Sequence, residues 1–127
     1  MNKYRNKKIV IDGIEFDSRL EVNRYCQLKI LERAREIKDL RRQVEFIIQP
    51  SYKKNNKTIR AIKYIADFVY YDVKKKKTII EDTKGFKNEV YRIKKKIFEY
   101  KYPELEIVEI RREDLWKRLK RKQRTNQ

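Results

Sequence analysis

The sequence predicts an α/β fold in the α+β sense, a central mixed β-sheet flanked by helices. Three observations carry this. Stretches of period-two alternation that suit strands are interleaved with stretches of helical period. A strand pattern lies on each side of the helical pattern that begins at Asn88, so the last strand can return parallel through a right-handed crossover. The 127 residues show no linker and no internal repeat, which predicts a single domain, 1–127, with room for one core.

The elements follow in order. Lys8 to Phe16 reads as a hairpin, because Ile9-Val10-Ile11 and Ile14-Glu15-Phe16 flank Asp12-Gly13, a dipeptide suited to a type I′ turn. From Ser18 to about Arg35 the residues Leu20, Cys26, Leu28, Leu31 and Ala34 recur near the helical period, with Ser18 as N-cap and Cys26 expected as a small core side chain. Gln43 to Gln49 reads as a strand ended by Pro50, and Asn55-Asn56 as a turn before a long strand from Thr58 to Val73. In that strand Ile62, Tyr64, Ala66, Phe68 and Tyr70 fall on one face, with Ile65, Asp67, Val69 and Tyr71 on the other.

Lys74 to Lys77 forms a polar loop, read as a solvated turn or as a DNA contact. Beyond it, Thr78 to Lys84 is a strand with Ile80, Asp82 and Lys84 on one face and Ile79, Glu81 and Thr83 on the other. Asn88 to Tyr100 is helical, with Val90, Tyr91, Ile93, Ile97 and Phe98 apolar. After Pro103, Leu105 to Ile110 alternates as a strand, and about 113–122 forms a basic C-terminal helix held by Leu115, Trp116 and Leu119.

Composition narrows the chemistry. A net charge of +17, from 36 basic and 19 acidic residues, repels itself unless a polyanion is present, and so points to nucleic acid. No apolar run approaches the roughly 20 residues that span a bilayer, and no signal peptide is visible, so neither a membrane nor export is expected. The one cysteine excludes an internal disulfide and suits a reducing cytoplasm. Histidine is absent, which removes imidazole metal sites and His-based nucleophile triads, and two glycines build neither a P-loop nor a dinucleotide fingerprint. Carboxylates, lysine and a metal are what remain.

Asp67 and the pair Asp82/Lys84 interrupt otherwise apolar strand patterns, where charge is depleted and costly to bury. The short Lys74–Lys77 loop pairs the two strands antiparallel. With Val73 facing Thr78, Asp67 lies opposite Lys84, and with a two-residue slip it lies opposite Asp82. Either register groups the three, and two carboxylates so close call for a cation between them. Glu81, on the opposite face, reads as structural.

Asp67, then Asp82-Thr83-Lys84, with Glu21 on a preceding helix, resembles the PD-(D/E)XK nuclease superfamily. The strings Asp12-Gly13-Ile14-Glu15-Phe16-Asp17-Ser18, Glu21, Tyr25, Ile37-Lys38-Asp39-Leu40, Asp67-Phe68, Glu81-Asp82-Thr83-Lys84-Gly85 and Phe98-Glu99-Tyr100-Lys101-Tyr102-Pro103 are similar, more narrowly, to small phage and prophage endonuclease-like proteins of unassigned role. The resemblance spans about residues 2 to 110 and departs at Ala66, which stands where the superfamily motif has proline. It implies a restriction-endonuclease-like core and a Mg²⁺- or Mn²⁺-dependent deoxyribonuclease leaving 5′-phosphate and 3′-hydroxyl ends. Asp67, Asp82, the Thr83 carbonyl and Glu21 would be metal ligands, and Lys84 the catalytic lysine.

Glu21 has a second reading, since Ser18-Arg19-Leu20-Glu21 is also a capping box. The phosphate-contacting residues expected are Lys94, Lys95 and Lys96 on one helix and Lys117, Arg118, Lys120, Arg121, Lys122 and Arg124 near the C-terminus. DNA, branched or flapped as well as linear, is the expected partner, with a second copy of the chain as another candidate. The setting is the cytoplasm of a phage-infected or lysogenic bacterium. The alternative is a nuclease fold that binds DNA without cutting it.

Overall fold

The computed structural model describes residues 8–83 and 88–115. The expected hairpin forms from β1 (Ile9–Ile11) and β2 (Ile14–Phe16). Asp12 and Gly13 between them both have positive φ, 54° and 75°, as a type I′ turn requires. Helix α1 (Arg19–Arg33) follows, with the Ser18 hydroxyl accepting from the Glu21 amide at the N-terminus. It ends in a Schellman motif: the amide of Arg35, at φ 61°, donates to the Glu32 carbonyl and that of Glu36 to the Leu31 carbonyl.

The central sheet is mixed, in the order β3 (Ile37–Gln49), β6 (Ile62–Asp72), β7 (Lys77–Thr83), β8 (Ile107–Ile110). β3 and β7 both pair antiparallel with β6, while β8 pairs parallel with β7 after the chain crosses over through helix α2 (Glu89–Lys101). The expected return of the last strand is thus present. A separate small hairpin, β4 (Tyr52–Lys54) and β5 (Lys57–Ile59), turns at Asn55 and Asn56 with φ of 52° and 61°. Residues 112–115 begin a third helical segment.

Two apolar clusters cover the sheet. One gathers Phe16, Val22, Tyr25 and Leu28 against Ile37, Phe68, Tyr70 and Ile79, and so belongs to α1. The other gathers Tyr91 and Phe98 of α2 with Ile48, Tyr64, Ala66, Val69, Ile80 and Ile107. Aromatic rings dominate the second, where Phe98 lies 5.0 Å from Phe46, 5.2 Å from Tyr64 and 5.0 Å from Tyr102 between ring centroids.

Several expectations are corrected here. The strand read from Thr58 to Val73 is broken at Arg60 and Ala61 into β5 and β6, and β3 begins at Ile37 rather than Gln43. Cys26 is exposed, because α1 turns Glu21, Val22, Arg24, Tyr25 and Leu28 inward instead. Val90, Ile93 and Ile97 are exposed, and α2 buries Tyr91 and Phe98. Tyr64 and Ala66 also do not share a face with Phe68 and Tyr70, since the first two join the α2 cluster and the last two the α1 cluster. The faces exchange at Asp67. Opposite it, Gln43 holds φ at 50°, a left-handed backbone uncommon for a non-glycine strand residue, and the Gln43–Asp67 pairing is missing from a ladder otherwise constant from Arg41↔Val69 to Ile47↔Lys63.

Candidate active site

The face exchange gives Asp67 partners from two strands. Its Oδ2 accepts from the Thr83 amide at 2.8 Å and the Thr83 hydroxyl at 2.7 Å, which ties β6 to the end of β7. Its Oδ1 accepts from Gln43 Nε2 at 3.1 Å. The same nitrogen donates to Glu21 Oε2, also at 3.1 Å, so one amide group touches carboxylates from α1 and β6. The strained backbone at Gln43 therefore coincides with the residue that bridges two of the expected site acids.

Glu21 is 4% exposed, and its two carboxylate oxygens face different partners. Its amide caps on Ser18 at 3.1 Å, and its Oε1 accepts from the Asp17 amide at a long 3.4 Å, one residue before the position a capping box uses. Its other oxygen faces Gln43 and the Arg42 guanidinium, the latter at 3.5 Å. Burial pushes the Glu21 carboxyl above the ordinary glutamate range, and the nearby charge of Asp67 pushes the same way. The Asp17 amide and Arg42 oppose this shift without cancelling it.

Asp82 is fully buried on β7, and its Oδ2 accepts from the Tyr64 hydroxyl at 2.5 Å. The β6–β7 ladder runs from Asp72↔Lys77 to Phe68↔Glu81, two residues offset from a Val73↔Thr78 pairing, and stops one step short of Asp67 and Asp82. Of the two registers open from sequence, the slipped one is observed. Burial, then the charge of Asp82, and in smaller measure that of Asp67, raise the Tyr64 hydroxyl far above a free phenol. Tyr91, which donates to Glu109 at 2.8 Å, is raised by burial, by that hydrogen bond and by the charge of Asp82.

Glu81 points to the other face, as expected. It accepts from Arg24 Nε at 2.6 Å and Arg24 Nη2 at 2.5 Å, and from the Tyr70 hydroxyl, all fully or nearly fully buried. Burial disfavours the Arg24 charge, yet the hydrogen bond and charge of Glu81 outweigh it and raise the guanidinium overall. The network fastens the turn of α1 just after Glu21 onto the strand that carries Asp82.

Among the described residues no three acidic side chains converge on one point for a metal. The structure joins Glu21 to Asp67 through Gln43, while Asp82 lies on β7 with its carboxylate on the Tyr64 hydroxyl. Lys84 lies outside the described residues, as do Trp116 and Lys117, Arg118, Lys120, Arg121, Lys122 and Arg124. Lys96 is exposed, while Lys94 and Lys95 are half-buried, Lys95 at 3.7 Å from Glu109. Lys95, Lys96 and Arg92 line an open pocket with Tyr91, Glu99 and Glu109.

Sequence reasoning missed Gln43 and Tyr64. Gln43 gave no signal, because glutamine has no preference for left-handed backbone, and Tyr64 was assigned to the face away from Asp82 by strict alternation.

Fold and site together define a mixed-sheet α/β protein in which Glu21 of α1 and Asp67 of β6 share one amide donor, and Asp82 of the next strand, β7, is buried. The chain belongs to the family described as protein of unknown function (DUF1064), whose model matches residues 1–117. No curated protein and no solved structure matches it. No helix among the described residues is long and apolar enough to cross a membrane.

Proposed function

We propose that this protein is a Mg²⁺- or Mn²⁺-dependent deoxyribonuclease of the PD-(D/E)XK kind, acting on phage or prophage DNA in the bacterial cytoplasm. The observation that carries the reading is the single amide of Gln43 held between the carboxylates of Glu21 and Asp67, with Asp82 buried on the neighbouring strand. Two acids that share one donor, one of them raised by burial and then by the charge of the other, make a site where a hard cation would be favoured. The donor set fits such an ion: Asp67, Asp82 and Glu21 would hold it, with the Thr83 carbonyl.

When bound, a divalent ion lowers the pKa of water and offsets charge on the phosphate. The chain's own groups supply the rest. The Thr83 amide and hydroxyl fix the Asp67 carboxylate, the Tyr64 hydroxyl fixes that of Asp82, and the Arg24–Glu81–Tyr70 network fixes α1 against β7. Lys84 would orient the attacking water and meet the charge that develops on the phosphate.

One observation favours the alternative of a DNA-binding module without catalysis: no three acids converge among the described residues. The deciding experiment is incubation of labelled linear, nicked, flapped and four-way-junction DNA with and without Mn²⁺. Cleavage that needs the metal, stops with chelator and is lost in Asp67→Asn supports the nuclease. Tight binding with no cleavage on any substrate selects the alternative.

A further inference from the structure

We infer that the β4–β5 hairpin is a nucleic-acid arm that seats in the major groove of duplex DNA beside the site. This rests on the DNA half of the reading above and not on catalysis.

Residues 50–60 contain four basic side chains, Lys53, Lys54, Lys57 and Arg60, and no acidic one, while Lys63 beyond them pairs with Glu45 at 3.0 Å. Residues 50–60 are exposed throughout, and β4 and β5 pair only with each other, as a two-stranded sheet of their own. Lys54 lies directly across from Lys57, and like charges facing each other across strands are destabilising. On the same face of the ribbon, two residues along, Tyr52 pairs with Ile59, both exposed. The tip thus presents two lysines and an apolar pair on one side, Lys53 and Thr58 on the other. No acidic residue within the hairpin offsets that arrangement, and a polyanion with apolar base edges suits it.

Shape selects among polyanions. Two paired strands lie about 4.8 Å apart, and with side chains they match a groove about 12 Å wide, which admits a β-ribbon. The major groove of A-form RNA is deep and too narrow for side chains to read. The left-handed Asn55 and Asn56 make the tight turn such a tip needs.

Position completes the inference, because the arm extends the two strands that carry Gln43 and Asp67. Lys57 stands ten positions before Asp67. At about 3.3 Å per residue the tip reaches at most about 33 Å from the acids, close to one turn of duplex.

The test compares two charge-matched variants of the full chain, Lys53→Ser/Lys54→Ser/Lys57→Ser/Arg60→Ser in the arm and Lys74→Ser/Lys75→Ser/Lys76→Ser/Lys77→Ser in the loop at the far end of β6. Binding to a 30-bp duplex is read by anisotropy in chelator across a salt series, with hydroxyl-radical footprints alongside. The arm variant should weaken binding at least about tenfold, flatten the log–log salt slope by about 3, and shorten the footprint on one side only. Equal losses in both variants would reduce the effect to net charge and overturn the inference. Equal losses on single-stranded DNA or duplex RNA, or retention of anionic vesicles in place of duplex binding, would overturn it too. Because binding is measured without metal, absence of cleavage would count against the nuclease reading and leave the arm's result standing.

Discussion

Glu81 and Asp82 are adjacent in sequence and fully buried, yet they face opposite sides of β7 and meet different chemistry. Glu81 enters the α1 side, where Arg24 grips it with two nitrogens and Tyr70 adds a hydroxyl. Asp82 enters the aromatic α2 side, where Tyr64 donates to it. A carboxylate matched by a guanidinium in fixed geometry belongs to the scaffold. Asp82 accepts from a neutral phenol instead. Two equally buried acids on one strand thus differ in the charge of the group that donates to them.

The strongest way to break this contrast is to remove Arg24. Arg24→Ala leaves Glu81 buried without its guanidinium and should lower stability by about 3–5 kcal/mol in urea denaturation. Arg24→Met/Glu81→Met should recover most of that loss, because an apolar pair of similar volume suits the same space. A single mutant within about 1 kcal/mol of wild type would show that Glu81 does not hold the scaffold.

Asp82→Asn should behave in the opposite way. The amide oxygen still accepts from Tyr64, so stability should change by less than about 1 kcal/mol, while cleavage in Mn²⁺ falls at least about 100-fold, the rate equivalent of losing a few kcal/mol of transition-state stabilisation. Normal cutting by this variant would remove Asp82 from the site.

Tyr70→Phe sharpens the picture at smaller scale. It removes the hydrogen bond to Glu81, which keeps Arg24, and the long one at 3.5 Å that Tyr70 accepts from Arg24, and should cost about 1.5–3 kcal/mol without altering metal-dependent cleavage. A variant that cuts more slowly at unchanged stability would mean that the α1-side network acts on the chemistry directly.

The smallest effect is in pH. The Glu21 carboxyl holds its proton more tightly in the folded chain than in the unfolded one, so the folded state binds more protons between the ordinary value of 4.5 and its raised value. Stability without metal should therefore fall as pH rises through that window, with the full cost present above it. Glu21→Gln should melt higher than wild type at pH 7 and near it at pH 4, and added Mn²⁺ should stabilise wild type more than the variant. Parallel melting curves across pH 4–8 would show that Glu21 acts only as a cap.

Local chemistry made much of the fold legible. Asp12-Gly13 specified a turn, Ser18 a helix start, and Asn88 another, where its side chain accepts from the Tyr91 amide at 2.8 Å. Asp67 and Asp82 were also legible, because acids inside apolar strands need a reason. What sequence did not carry were relations across the chain. Nothing in the pattern of α1 singled out Arg24, which is buried where Glu81, 57 positions away, meets it. The opposed placement of Ala66 and Phe68 was invisible because alternation presumes regular backbone, and the irregularity lies on the neighbouring strand at Gln43.

Position 43 also sets two demands that favour different amino acids. Glycine would occupy a φ of 50° without steric cost, and asparagine with less than glutamine does. Neither carries an amide out to the distance at which Gln43 reaches both Glu21 and Asp67. Backbone ease and side-chain reach are thus in conflict at one residue, and the chain resolves the conflict in favour of reach. Selection for thermal stability alone would move this position toward glycine and separate α1 from β6 at the acids, so a stabilised descendant of this protein would be a poorer guide to its chemistry than the chain itself.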